Sequence, residues 1–137
     1  MTLANLIARS TAQRTLARTG LSLNAWRVLR YATSAAAPSA AGAVTLLAMD
    51  KTTVSRAVRE LVKAGLVRLV PNPADRRQGL IRIKEAGRRL YRRTAPVDRS
   101  VDDSFERQLT AGERTRLAPI FAKLHRHARS LLAEPDA

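Results

Sequence analysis

Thr52, Ser55, Arg56, Arg59 and Lys63 recur at intervals of three, one, three and four residues. At helical periodicity that spacing gathers them on one side of a cylinder, short hydroxyls near its start and long cations beyond. Val54, Val58, Leu61 and Val62 fall on the other side, an apolar stripe suited to a core. Such a polar face has a definite chemistry. Small side chains admit close approach to base edges, and an arginine can hold guanine O6 and N7 together. The helix start adds amides that suit a phosphate. Glu60, at the margin, is the one acid near that face. The plain alternative is a solvated cationic helix.

A second group lies in "PNPADRRQ", residues 71–78. Asp75, Arg76 and Arg77 sit on a tip stiffened by Pro71 and Pro73. An arginine on a rigid tip suits a minor groove, above all a narrow A/T-rich one. Asp75 would accept loop amides or orient a neighbouring arginine, or would simply form the turn.

These side chains need elements to hold them. Asp50 is an N-cap for a helix running to Ala64, where Gly65 stops it and Leu66 supplies the hydrophobic contact of a Schellman ending. "LVRLV" and "GLIRI" flank the basic loop and predict a hairpin, with Pro71 and Pro73 keeping the loop out of the ladder. Upstream, Ser22 caps a helix carrying Trp26, Leu29 and Thr33. "TSAAAPSAAG" then leads into a weak helix from Ser39, in which Gly42 costs about 1 kcal/mol relative to Ala. An N-terminal helix over 2–18 would place Leu3, Leu6 and Ile7 on one face, continue towards Leu16 and stop at Gly20. A further helix begins near Lys84, and Pro96 should kink or divide it. Thr110 with Glu113 forms a capping box for a last helix to about Leu132, and "AEPDA" is a frayed tail.

Composition narrows the partner. The chain has 137 residues, enough for one compact domain or a domain with helical extensions for pairing. Its 25 basic against 11 acidic residues give +14, which calls for an anionic partner such as nucleic acid or an acidic membrane surface. Arg supplies 21 of the 25, a choice that fits GC-rich codon usage and leaves the charge to be explained. With no cysteine, thiolate metal sites and disulfides are excluded. No apolar run reaches about 18 residues, so no membrane span is expected. The first acid is Asp50, and an acid-free N-terminus is also how a mitochondrial presequence reads. The helix is the better reading, and with no secretory signal a cytoplasmic location is expected.

No catalytic set emerges. His125 and His127 diverge on a helix and cannot share one metal ion, and Asp102 and Asp103 diverge likewise. There is no glycine-rich phosphate loop and no activated nucleophile, so neither an enzyme nor a cofactor is expected.

From Leu21 to Leu90 the chain resembles the MarR family of winged helix-turn-helix transcriptional regulators. The resemblance rests on "LSLNAWRVLR", "MDKTTVSRAVRELVKAGLV", "PNPADRRQGLIRI" with its Asp-x-Arg at Asp75 and Arg77, and "KEAGRRLY", in the family's order and spacing. It implies a mainly α fold with a small β-hairpin wing. Residues 1–20 would be an N-terminal dimerisation helix, 21–84 the DNA-binding region and 85–137 the C-terminal dimerisation helices. It further implies a homodimer on a pseudopalindromic site in double-stranded DNA, usually a repressor released by a small ligand. Thr52, Thr53, Ser55 and Arg56 are thereby assigned to the major groove, Arg77 to the wing tip and Asp75 to holding the wing. The chain departs from the pattern at Ala43 and Val44, where the family has Leu-Ala. Gly42 precedes them, so a looser support for the recognition helix is expected. Lys84 stands where the family opens its next helix on a Thr cap.

Trp26 with Tyr31 could line an effector pocket, but Trp26 and Leu29 read better as core. Arg27 and Arg30 nearby would favour an anionic aromatic effector. A different class of function also fits the charge, a non-specific basic nucleic-acid or nucleoid-binding protein. An RNA reader is less suited, since two Phe, two Tyr and one Trp give little to stack bases on.

Overall fold

A computed structural model describes residues 10, 13–14, 17–75 and 78–133. The expected helix over 2–18, the arginines 76 and 77 and the tail from Glu134 therefore lie wholly or mostly outside the described residues. The elements are α1 (Leu23–Ser34), α2 (Ala40–Leu47), α3 (Lys51–Lys63), β1 (Val67–Pro71), β2 (Gly79–Ile83), α4 (Glu85–Glu106) and α5 (Ala111–Ala133). The chain divides into two compact units, Met1–Arg99 and Ser100–Ala137. Among the described residues, no helix is long and apolar enough to cross a membrane.

In the first unit, local chemistry starts and stops each helix. Ser22 Oγ accepts the Ala25 amide, Ser39 Oγ the Gly42 amide and Asp50 the Thr53 amide. Each cap satisfies a donor that the first helical turn leaves open. α3 ends as the sequence predicts. Gly65 takes φ +70°, its amide donates to the Val62 carbonyl, and the Leu66 amide reaches back to Leu61. Those two bonds make a Schellman ending. Between α2 and α3 the chain turns through Ala48 at φ +49°, a left-handed conformation that disfavours a side chain.

β1 and β2 pair antiparallel, Val67 opposite Ile83 and Pro71 opposite Gly79. Pro71 is thus the last residue of the ladder rather than part of the loop, at an edge where a missing N–H is tolerated. The connection before α2 joins the sheet as well. Ser39 bridges Leu80, and the Ile81 amide donates to the Pro38 carbonyl at 2.7 Å.

The core lies between α1, α3 and the hairpin. Trp26, Leu29, Leu61 and Ile81 are its largest fully buried side chains. The Trp26 ring stacks on Tyr91 of α4, with centroids 5.7 Å apart. The core reading of Trp26 and Leu29 is what the fold shows. Gly42, which read as a weakness, has a packing reason. A Cβ there would collide with the Tyr31 hydroxyl, which accepts the Ser39 amide at 3.1 Å. Ala43 beside it is fully buried. The support for α3 is therefore close-fitting, not loose.

Leu66 is a junction. Besides its bond back to α3, its carbonyl accepts the Lys84 amide at 2.9 Å. A Cβ on Gly87 would strike that same carbonyl, so α4 can approach only through a glycine. α4 lacks a Thr cap, but it continues through Pro96, so of the expected kink or division the division does not occur. Pro96 and Arg92 are both exposed, a side of the helix on which losing one amide donor costs least.

In the second unit, Thr110 and Glu113 form the expected capping box. The Thr110 amide donates to Glu113 Oε2 at 2.7 Å, and the Glu113 amide to Thr110 Oγ1 at 3.3 Å. α5 then runs to Ala133 with Ile120, Phe121, Leu124 and Leu131 each more than half exposed.

Candidate nucleic-acid interface

α3 organises the site. Val54, Ala57, Val58 and Leu61 are buried on its inner side. Val62, expected in that stripe, is 43% exposed. Helical rotation carries it past the edge of the stripe, and Ala57 takes the fourth inner position. Thr52, Ser55, Arg56, Arg59 and Lys63 are all exposed on the outer side, and Lys51 joins them at the helix start. The structure brings together the five side chains whose spacing marked them out.

Thr53 is placed differently. It is half-buried, and its hydroxyl donates to Asp50 Oδ2 while its amide donates to Oδ1 at 2.8 Å. The hydroxyl proton is committed to the cap. The Thr53 hydroxyl and amide hold the Asp50 carboxyl below its ordinary pKa. Lys63 lies in the last turn, where a cation suits the helix dipole. The guanidinium of Arg59 folds along the helix, with Nε 3.4 Å from the Ser55 carbonyl. Beside this face a groove of about 680 Å³ opens between α2, α3 and the hairpin, floored by Val44, Val54 and Val58 and edged by Lys51 and Arg59.

The hairpin supplies the second part. Its loop is built by side-chain and backbone turns: Asn72 Oδ1 accepts the Ala74 amide at 3.0 Å, and the Gln78 amide donates to the Asp75 carbonyl at 3.0 Å. Asp75 is half-buried. Arg76 and Arg77, expected to contact DNA from the wing, fall outside the described residues.

Glu60, at the margin of the cationic face, has a partner far away in sequence. Its Oε1 accepts the Ser22 amide and its Oε2 accepts the Ser22 hydroxyl, each at 2.7 Å. The signal available beforehand was a lone acid within a cationic face. Its partner, 38 residues away, had no local mark.

A second concavity lies on another side of the first unit. Arg27, Arg30, Tyr31, Leu46, Leu47 and Tyr91 border a cleft of about 480 Å³. Arg27 donates to the Leu47 carbonyl, and burial followed by the neighbouring Arg30 charge lowers its pKa. Among the described residues, no cluster of histidines and carboxylates could hold a metal ion.

Known proteins share this architecture. Over 86 residues the chain is 30% identical to the HTH-type transcriptional repressor NicR of Pseudomonas putida; that stretch is 63% of this chain and 54% of NicR. The chain thus spans about half the length of that relative. Sco3205 of Streptomyces coelicolor, a MarR family regulator solved with DNA, superposes with a TM-score of 0.81 at 21% identity, covering 89% of this chain and 78% of that one. BpsR of Bordetella bronchiseptica, whose DNA binding is regulated by 6-hydroxynicotinic acid, gives 0.74 at 24% identity, covering 90% and 93%. At such identities the structural likeness establishes the fold. Residues 19–78 match the MarR family itself. With helix, turn, helix and wing in place around that match, the first unit has the winged helix-turn-helix fold and residues 19–78 are similar to the MarR family.

Proposed function

We propose that the protein is a sequence-specific DNA-binding transcriptional regulator, acting as a homodimer on a pseudopalindromic operator in the cytoplasm. One observation carries this reading. Five exposed polar and basic side chains share the outer side of α3, opposite four buried apolar ones. The net charge of +14 per chain suits a polyanion. In this reading α3 enters the major groove, Ser55 and Arg56 meet base edges, and Lys63 holds phosphate. The wing reaches the minor groove through Arg77, with Asp75 holding the loop. Residues 1–20 and 85–137 supply the dimer contacts. Repression is the expected sense, as in NicR.

The cleft at Arg27, Arg30 and Tyr31 suits release by a small anionic aromatic ligand. Two guanidinium groups offer a carboxylate its partners, and two tyrosine rings offer a ring its faces. The regulation of BpsR by 6-hydroxynicotinic acid supports that ligand class.

Selection from randomised operators with wild type, Arg56→Ala and Arg77→Ala tests the reading. Losing a bidentate base contact costs about 1–3 kcal/mol and relaxes preference at that base pair. Arg56→Ala should change the inner half-site, and Arg77→Ala should erode preference for A/T-rich flanks. If both return the wild-type sequence logo with uniformly weaker binding, the arginines only hold phosphate. A wild type that shows no preference at all is a non-specific nucleic-acid binder.

A further inference from the structure

A recognition helix must be held at a fixed roll about its own axis. Side-chain atoms lie about 5–6 Å from that axis, so a roll of about 20° moves them by about 2 Å. That is enough to break a bidentate base contact. The inner side of α3 packs closely through Val54, Ala57, Val58 and the fully buried Leu61, but hydrophobic contact has no direction of its own. Hydrogen bonds to a carboxylate do have direction.

α3 carries one such tether. Glu60 follows Arg56 by four residues and precedes Lys63 by three, so all three share a flank of the helix. From that flank both Glu60 oxygens are held by Ser22, one by its amide and one by its hydroxyl, each at 2.7 Å. The anchor is itself well fixed. Ser22 Oγ also accepts the Ala25 amide as N-cap of α1, and the adjacent Leu21 is buried. We propose that Glu60 is a positioning residue for DNA recognition, setting the roll of α3 through its two hydrogen bonds to Ser22. The proposal rests on the reading of α3 as the base-contacting helix.

Charge gives this proposal an unusual test. An acid beside a DNA-facing surface repels phosphate, so removing an incidental one should tighten binding to every sequence alike. Removing a positioning acid should instead lower the preference for the operator. Affinities for the selected operator and for random duplex are measured at matched salt in wild type, Ser22→Ala, Ser22→Thr, Glu60→Gln and Ser22→Ala/Glu60→Gln, with far-UV circular dichroism confirming the fold. The operator-to-random ratio should fall roughly tenfold in Ser22→Ala and in Glu60→Gln. In the double variant the fall should be less than the two single falls combined, since both changes act on one pair, of which Ser22→Ala removes the hydroxyl bond and keeps the amide bond. Ser22→Thr keeps the amide and the hydroxyl and should keep the ratio. Glu60→Gln leaves the Ser22 cap on Ala25 intact, so its effect separates roll from helix stability. An unchanged ratio in folded Glu60→Gln, with tighter binding to both duplexes, overturns the proposal while leaving the regulator reading standing. A wild type that does not discriminate overturns both.

Discussion

α3 and α5 are both amphipathic helices with well-made starts, yet the chain treats their apolar sides differently. α3 hides Val54, Ala57, Val58 and Leu61 within its own unit. α5 leaves Ile120, Phe121, Leu124 and Leu131 more than half exposed in the single chain. A stripe of that kind is rarely left to water. The first unit covers the apolar side of α3 from within, while the apolar side of α5 stays uncovered among the described residues. In the proposed function α3 reads DNA and α5 contributes to pairing.

Leu61→Ala should strike hardest, because Leu61 is fully buried on the inner side of α3. A loss of about 2–5 kcal/mol is expected in denaturant unfolding, and it should not depend on protein concentration. A small or concentration-dependent loss would mean that α3 is not covered from within its own chain.

Replacing Phe121 and Leu124 together by Ser sharpens the other side of the contrast. Dimer dissociation should strengthen by at least about tenfold, read by light scattering over a dilution series. Helix content at high concentration should change little. If the mass per particle does not move, the exposed stripe of α5 is not the pairing surface.

The caps give the smallest effect and a pH signature. Thr53 lowers the pKa of Asp50, and the Thr110 amide and hydroxyl lower that of Glu113. Since the folded-state value lies below the unfolded one, the stabilisation is fully present above the ordinary carboxylate range, near pH 4. It is lost as pH falls through the depressed folded value. The Tm gap between wild type and Asp50→Ala should therefore stay constant from neutrality to about pH 5 and close in stronger acid. A gap that closed between about pH 6 and 7 would assign the effect to a histidine instead.

Features encoded within a few residues were legible in the sequence. Asp50, Ser22, the Thr110–Glu113 box and Gly65 each act on amides or carbonyls no more than four residues away, and all four appear as expected. The outer side of α3 was legible because helical periodicity alone decides it. What escaped depends on distant partners. The worth of Gly42 is set by Tyr31, and that of Glu60 by Ser22. Val62 failed for a subtler reason: Val62 and Ala57 stand at opposite edges of the stripe, and hydrophobicity alone preferred the larger side chain. At Pro96 the division does not occur, because a helix can lose the one hydrogen bond that a proline removes without ending there.

The Leu66 peptide joins three elements: its amide closes α3, its carbonyl receives the start of α4, and β1 begins at the next residue. In hydrogen-exchange terms, the Leu66 amide is protected by the Leu61 carbonyl and the Lys84 amide by the Leu66 carbonyl, so a displacement of Leu66 should open both. Whatever steadies the start of α4, including a ligand beside Tyr91, would then slow exchange at the end of α3 without touching it. The junction couples exchange at the end of α3 to exchange at the start of α4.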